Sequence, residues 1–249
     1  MGARNDSAPQ AGLVEIRNLH VLAGDSEAAD RRTVRCPDRD RSVALEDCLA
    51  CAESGGLARP AGARTDYASC RHPLSSGGGP SRGDARSLLE QTPVWSAMTT
   101  RVVALRPDVS LEAVGELFFD EVISGAPVVD EDGRPVGVVS TADLLGARFV
   151  AAGTREALPP GQVRWHGLER EPGVRAEMAP VDSVADAMTH GTVTVPETAS
   201  IAKAAALMAV RGIHRLPVVA HDGCVVGIIT SSDVARWVAQ VGGYLPARA

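Results

Sequence analysis

The chain has 249 residues and a mass of 25.9 kDa, which is enough for one large domain or two modest ones. Hydrophobic residues make up 45% of it but aromatic residues only 3%, so the core must be built from aliphatic side chains. The net charge of −6 argues against a nucleic-acid or anionic-membrane partner, and without a run of about 18 apolar residues no membrane span is predicted. The polar N-terminus lacks the apolar stretch of a secretory signal, which favours a cytoplasmic location.

The first segment, residues 1–72, holds four of the five cysteines and shows little regular hydrophobic periodicity. One Cys-x-x-Cys pair with a thiol on either side is typical of a tetrahedral, all-thiolate zinc site. A segment so short and so poor in apolar residues would also need a metal to fold stably. Reduced or redox-active thiols, disulfides and another metal centre remain as alternatives. The candidate ligands are Cys36, Cys48, Cys51 and Cys70, with His72 or His20 as a replacement for one thiol.

Composition divides the rest of the chain into a linker, two patterned blocks and a polar stretch between them. Residues 73–91 are rich in Gly, Ser and Pro and predict a flexible linker. The blocks at 92–148 and 181–245 are repeats of each other, because a shift of about 90 positions lays Val94–Leu145 on Val184–Ala235 without a gap. The polar stretch covers residues 149–180.

Each block predicts the same order of elements: strand, helix, strand, strand, helix. In the first block, Val102–Leu105 predicts the opening strand and Ser110 the cap of the first helix. The next two strands flank Asp132-Gly133, a strong hairpin signal, and the last helix begins at Ser140. The corresponding signals in the second block are Val193–Val195, Ser200, Asp222-Gly223 and Thr230. The fold class is therefore α/β, with two repeats and a small Cys-rich N-terminal domain.

Three motifs occur in the same order in both blocks. They are the Ala-Met-Thr at 97–99 and 187–189, the Pro-Val-Val at 127–129 and 217–219, and the endings Gly-Val-Val-Ser-Thr-Ala-Asp at 137–143 and Gly-Ile-Ile-Thr-Ser-Ser-Asp at 227–233. With these motifs the chain resembles tandem CBS domains. The resemblance implies two repeats packed about a pseudo-two-fold axis, with clefts between them that bind AMP, ADP, ATP or an S-adenosyl ligand. It also implies association into homodimers.

The resemblance assigns ligand contacts to four residues that end the hairpins and begin the last helices. An Asp in the first helical turn can accept hydrogen bonds from ribose hydroxyls, and a nearby Ser or Thr can bind phosphate. The same Ser/Thr-x-x-Asp pattern also forms a capping box, which needs no ligand. The four residues are Ser140, Asp143, Thr230 and Asp233.

Two further pairs of candidate ligand contacts differ in charge and position. His214 and Arg215 stand where relatives carry a basic phosphate contact, whereas the first repeat has Ser124-Gly125 there and offers no charge. Phosphate contact is therefore expected from the second repeat, with a solvated turn as the alternative. Val103 and Val193 match positions that line the adenine pocket of relatives, and ordinary core packing explains them equally well.

The chain carries no catalytic motif of the serine-hydrolase, phosphate-loop or zinc-protease type, so it is not predicted to be an enzyme. Cys224 follows a hairpin turn and is expected to be an exposed thiol. The sequence predicts a regulatory module that binds an adenosine ligand and acts on an unknown protein partner. Two alternatives are a dimerising scaffold that binds no nucleotide and a thiol or metal sensor that responds through Cys48 and Cys51.

Overall fold

The computed structural model describes residues 12–24, 26–27, 30–60, 65–72, 85–151 and 182–246. Most of the predicted linker (73–84) and most of the polar stretch (152–181) lie outside these residues. The last part of the predicted linker forms a helix, α2. At the end of α2, Thr92 N–H donates to Leu88 C=O at 2.9 Å. Among the described residues, none of the helices has the length and hydrophobicity that a membrane span needs. The helices are α1 Leu45–Leu49, α2 Ala85–Gln91, α3 Leu111–Asp120, α4 Thr141–Ala151, α5 Val184–Ala187, α6 Ile201–Arg211 and α7 Ser231–Val241.

The N-terminal segment is an antiparallel arrangement of strands, although its sequence shows little periodicity. The long β1 pairs with β3 through Ile16↔Val34 and with β6 through Gly12↔Cys70. A buried cluster of four residues, one of them from α1, packs within the described part of this segment. The strands of the segment are β1 Gly12–Ala23, β2 Ser26–Glu27, β3 Arg31–Cys36, β4 Arg41–Ala44, β5 Ser54–Ala58 and β6 Tyr67–Cys70.

The first repeat has the predicted order of elements. Ser110 caps α3 by accepting a hydrogen bond from Ala113 N–H at 3.2 Å. The antiparallel hairpin turns at Gly133, whose φ of 81° suits glycine. Residues from α3 and both hairpin strands form one aliphatic cluster in which Val114, Val128 and Val139 are fully buried. The strands are β7 Arg101–Leu105, β8 Gly125–Val129 and β9 Pro135–Ser140.

The second repeat is built in the same way. Ser200 caps α6 by accepting from Lys203 N–H at 3.2 Å, and Gly223 turns the hairpin with a φ of 84°. The opening strand is parallel to the middle strand, with Val195 opposite Val218. A second aliphatic cluster includes Leu216 and Ile229, both fully buried. The strands are β10 Thr189–His190, β11 Val195–Pro196, β12 Arg215–Val219 and β13 Val225–Thr230. The strand–helix–strand–strand–helix order is therefore confirmed twice.

The segment that leads into each repeat packs on the core of the other repeat. Val94 and Met98, which precede β7, belong to the cluster of the second repeat, and Val94 N–H donates to Ala199 C=O at 2.7 Å. The same contact occurs at the corresponding positions with the roles exchanged, where Val184 N–H donates to Val109 C=O at 2.9 Å. The leading segments Val94–Thr99 and Val184–Thr189 are therefore exchanged between the repeats.

This exchange explains why the compact units differ from the sequence repeats. One unit takes its described residues from Met1–His20, Asp30–Val102 and Val193–Ala249, so it contains the N-terminal segment, the second repeat and the leading segment of the first. The other takes them from Val21–Ala29 and Val103–Thr192. Two close glycine contacts belong to the exchange. A Cβ on Gly227 would overlap with Met98, and a Cβ on Gly137 would lie 2.6 Å from Met188 Sδ.

Candidate functional site

The hydroxyl–carboxylate pair of the first repeat stands at the start of α4. Ser140 N–H and Oγ–H both donate to Asp143 Oδ2, at 2.8 and 2.6 Å. Asp143 is half-buried, and its Oδ1 accepts no hydrogen bond from the described residues. One carboxylate oxygen therefore holds the helix start while the other is available to a donor from a ligand.

The second repeat forms the same pair at the start of α7. Thr230 N–H and Oγ1–H donate to Asp233 Oδ2, at 2.9 and 2.7 Å, and Asp233 N–H donates back to Thr230 Oγ1 at 3.2 Å. This is a complete capping box. Asp233 is only 6% exposed, and its Oδ1 lies 3.4 Å from Arg236 Nη1. The carboxylate of the first repeat is therefore the more accessible of the two.

Two basic residues stand beside the second pair, as the sequence predicts. His214 is exposed, and its C=O accepts from Ser231 N–H at 3.0 Å. Arg215 is half-buried and lies opposite Thr230 in the hairpin. The backbone at Ser124 makes the equivalent contact in the first repeat, accepting from Thr141 N–H at 3.1 Å. The two repeats therefore share the backbone of this corner and differ in its charge.

The two valines assigned to the adenine pocket occupy similar environments. Val193 is half-buried and packs against the cluster of the second repeat. Val103 is half-buried in β7 between the buried side chains of Val102 and Ala104.

The four N-terminal cysteines line one small cavity of about 80 Å³, together with His72. Cys51 N–H donates to Cys48 C=O at 3.2 Å, which forms the turn of the Cys-x-x-Cys pair. Burial raises the pKa of the Cys48 thiol, and the neighbouring thiols of Cys70, Cys36 and Cys51 raise it further. As the side chains stand, no group of three or more His, Cys, Asp or Glu in the described ranges is arranged to hold a metal ion.

Two expectations about single residues are wrong. His20 does not line the cavity of the thiols, and its Nδ1 pairs with Asp30 Oδ1 at 2.7 Å. Cys224 is not exposed: its exposure is 5%, because the hairpin turns its side chain inward next to Arg31 and Asp222. Burial raises the pKa of this thiol despite the hydrogen bond with Arg31.

A buried charge network joins the N-terminal segment to the second repeat. Arg17 Nη1 lies 2.8 Å from Glu197 Oε2, with exposures of 6% and 3% for the two side chains. Ser42 donates twice to the same carboxylate, from N–H to Oε1 at 2.8 Å and from Oγ–H to Oε2 at 2.7 Å. Arg35 Nη1 lies 3.4 Å from Oε2, and its guanidinium stacks 4.7 Å above the ring of Trp95. These contacts fix the N-terminal segment on the loop between β11 and α6.

The hydrophobic periodicity of the sequence does not reveal this network, but an alignment of the two repeats indicates where it lies. Glu197 corresponds to Pro107 in the first repeat, so the charge breaks the internal symmetry at a position that is otherwise alike. Trp95 N–H donates to Glu197 C=O at 3.1 Å, and Ala185 N–H donates to Pro107 C=O at 2.9 Å. At this position the charged residue present in one repeat alone makes a contact outside the repeats.

The charge of Glu197 gives the stability of the protein a predicted dependence on pH. Burial alone would raise the pKa of Glu197, but the hydrogen bonds from Ser42 and the pairing with Arg17 outweigh it and hold the pKa below its ordinary value of 4.5. Because the folded pKa is depressed, the stabilisation is complete above the unfolded pKa and is lost as the pH falls through the folded one. We expect urea unfolding to show a steeper loss of stability below about pH 4.5 in the wild type than in Glu197→Gln. Parallel curves would contradict this assignment.

Comparisons with known proteins match the region of the two repeats. The sequence model of the CBS domain matches residues 94–149 and 184–240. The chain is 31% identical over 142 residues to the chloroplastic CBS domain-containing protein CBSX1 of Arabidopsis thaliana, covering 55% of this chain and 59% of that protein. It is 30% identical over 139 residues to the uncharacterized protein MJ1426 of Methanocaldococcus jannaschii, covering 53% of this chain and 83% of that protein. The crystal structure of CBSX2 in complex with AMP aligns with a TM-score of 0.47 at 26% identity, covering 61% of this chain and 98% of that one.

Fold and site together define a tandem α/β repeat protein with one hydroxyl–carboxylate pair in each repeat. The chain belongs to the CBS-domain family, and it carries two of these domains. The resemblance drawn from the paired motifs is thereby confirmed. The chain spans 59% of the length of CBSX1 and 58% of that of CBSX2, and the N-terminal cysteine segment lies outside the matched domains.

Proposed function

We propose that this protein is a regulatory module, not an enzyme, that binds an adenosine-containing ligand through its CBS repeats. The ligand would be AMP, ADP, ATP or an S-adenosyl compound. Binding would change the conformation or assembly of a cytoplasmic homodimer and so control an unidentified protein partner. The observation that carries the proposal is the hydrogen-bonded hydroxyl–carboxylate pair that occurs at the start of both α4 and α7.

The carboxylates are suited to a ribose because each is fixed before a ligand arrives. Oδ2 of Asp143 and of Asp233 is held by the residue three positions earlier, so neither side chain loses rotamer freedom on binding. Oδ1 of Asp143 then accepts from a ribose hydroxyl. The partial positive charge at the start of a helix favours the same anionic group and any phosphate near it.

The charged part of the ligand would be recognised by the second repeat. Arg215 offers a planar guanidinium that matches two phosphate oxygens, and the exposed His214 beside it offers a further donor. Ser124 and Gly125 supply no such charge in the first repeat. We infer that a ligand with phosphate binds the second repeat more tightly, whereas the first suits a ligand with little negative charge.

The homodimer would use the helices of the first repeat. An apolar groove of about 680 Å³ lies between α3 and α4 and is lined by Leu111, Phe118, Phe119, Leu144 and Leu145. Phe119 is 84% exposed, which is unusual for so large an apolar side chain. A second copy of the chain, with the same groove and the same phenylalanine, would cover this surface symmetrically.

A scaffold that binds no nucleotide is the second candidate. It is favoured by the surroundings of Asp233, whose Oδ2 is held in a capping box and whose Oδ1 lies 3.4 Å from Arg236 Nη1, so that both oxygens have partners without any ligand. In that case the repeats would only dimerise, and the N-terminal segment would dock the partner. The thiol or metal sensor remains a third candidate, and it depends on the cysteine cavity.

Calorimetric titration of the full chain with AMP, ATP and S-adenosylmethionine separates the first two candidates. We expect saturable binding of at least one ligand and a loss of affinity of about tenfold or more in Asp143→Ala/Asp233→Ala, which is about 1.4 kcal/mol. Sedimentation of the same samples reports any change of assembly.

Asp186→Ala is the matched control for this titration. Asp186 forms the same kind of capping box with Ser183 at the start of α5, but it is not a candidate ligand contact. We expect its variant to bind like the wild type. If folded protein binds none of the three ligands, or if the double variant binds them with unchanged affinity, the result would favour the scaffold.

A further inference from the structure

The cysteine cavity collects thiols from three separate parts of the N-terminal segment. Cys36 ends β3, Cys48 and Cys51 come from α1 and the turn after it, and Cys70 ends β6. Cys70 lies opposite Gly12 of β1 and Ser54 of β5, and Ser54 is three residues after Cys51. All five cysteines are free thiols, and Cys224 is not among those that line the cavity.

The cavity is lined by charged side chains of both signs. Arg35, Arg39, Asp38 and Asp47 all line it together with the four cysteines. The guanidinium of Arg35 is already engaged, because it donates to Asp40 C=O at 3.0 Å and its Nη1 lies 3.4 Å from Glu197 Oε2. The cavity therefore supplies four sulfur ligands, and the positive charge that stabilises them as thiolates would come from the bound metal ion itself.

The small core of this segment makes a metal cross-link physically useful. Its buried cluster consists of Ile16, Val34, Leu45 and Ala68, and two of its peripheral members are Val43 and Cys48 itself. So few buried aliphatic groups offset only part of the conformational entropy lost when about 60 residues become ordered. An ion bound by four residues from β3, α1 and β6 would join the elements that surround this core.

We propose that Cys36, Cys48, Cys51 and Cys70 bind one soft divalent metal ion, of which zinc is the first candidate. Four sulfur ligands without a required open position suit a structural tetrahedral ion. Since no three of these side chains form a ligand group in the described ranges, metal binding would require the thiols to move closer together. Each thiol that becomes a ligand releases its proton to water, so metal affinity falls as the pH falls. His72, which lines the same cavity, is the replacement for one sulfur.

The test uses the full chain purified under reducing conditions with zinc in the growth medium. We expect about one zinc per chain by elemental analysis, and sulfur-to-metal charge-transfer absorption when the metal-free chain is titrated with Co²⁺. Cys48→Ser is expected to weaken metal binding at least about tenfold, whereas Cys224→Ser, which removes the thiol outside the cavity, binds like the wild type.

The cobalt titration keeps the proposal testable if Cys48→Ser does not fold, because it needs only the wild-type chain. A wild type with no bound metal and no charge-transfer absorption overturns the proposal. So does a Cys48–Cys51 disulfide in protein purified without oxygen, detected as a mass two hydrogens lower. Adenosine-ligand binding by the repeats is measured separately, so a failure here leaves the proposed function standing.

Discussion

Replacing Arg17 with methionine is expected to lower the free energy of unfolding of the full chain by about 3–5 kcal/mol. The substitution keeps the length and apolar stem of the side chain but leaves the carboxylate of Glu197 buried without its closest cation. Ser42 still donates two hydrogen bonds, yet these do not neutralise the charge. Loss of one partner of a buried ion pair costs more than the pair itself contributes, because the remaining charge stays away from water.

Urea unfolding of three variants checks this result. Arg32→Met is the matched control, since Arg32 is an exposed arginine on β3 and lies opposite Asn18 of β1, the residue after Arg17. It should change stability by no more than about 0.5 kcal/mol. Arg17→Met/Glu197→Leu removes both charges and is expected to recover much of the loss. Equal effects of Arg17→Met and Arg32→Met would show that the buried pair is not a source of stability.

Two glycine-to-alanine substitutions are expected to have opposite signs. Gly227→Ala should destabilise the protein by about 1–3 kcal/mol, because the new Cβ would lie 2.8 Å from Cε and 3.0 Å from Cγ of the buried Met98. Gly115→Ala should stabilise it by about 0.5–1 kcal/mol, because Gly115 lies inside α3 and a Cβ there meets nothing within 4 Å. Comparing the two variants separates the cost of the close contact with Met98, in the exchanged leading segment, from the general effect on stability of adding a methyl group.

A double-mutant cycle between Gly227 and Met98 measures the same contact directly. Met98→Ala alone creates a cavity, but in the Gly227→Ala background it also relieves the overlap, so the two changes should couple by about 0.5–3 kcal/mol. Thermal or urea unfolding of the four proteins gives this coupling. Additive effects would mean that Met98 repacks freely and that the exchange does not depend on a glycine at 227.

The repeated part of the fold could be predicted because its signals are local. Ser110 and Ser200 cap their helices, and the Asp-Gly turns join the predicted hairpins, as short-range stereochemistry requires. The exchange of the leading segments could not be predicted, since an ungapped alignment gives Val94 and Val184 equivalent surroundings without saying which core each one joins. That choice is made by long-range packing.

The residue types of the candidate site could be predicted from the sequence, but the burial and the partners of several of its residues could not. The four thiols line one cavity without forming a metal-ligand group in the described ranges, and the hydroxyl–carboxylate pairs form at the starts of α4 and α7. The burial of Cys224 depends on contact with Arg31, which is far away in the sequence. The pairing of His20 with Asp30 depends on how the N-terminal strands bring these two side chains together. The N-terminal strands also lack a clear alternating pattern, because adjacent residues such as Ile16 and Arg17 are both buried, one in the small core and one in the charge network.

The buried network at Glu197 decides where this chain can be divided. The Gly/Ser-rich stretch at 73–91 would be the usual place to separate a CBS pair from a preceding domain. A fragment that starts at residue 92 keeps both CBS repeats, but Glu197 loses Arg17, Arg35 and Ser42 together. The complementary fragment keeps Arg17 and Arg35 but lacks the carboxylate of Glu197, with which both arginines pair. The shortest piece in which these charges are matched therefore includes both the N-terminal segment and the second repeat, and binding constants measured on either fragment would describe a different molecule.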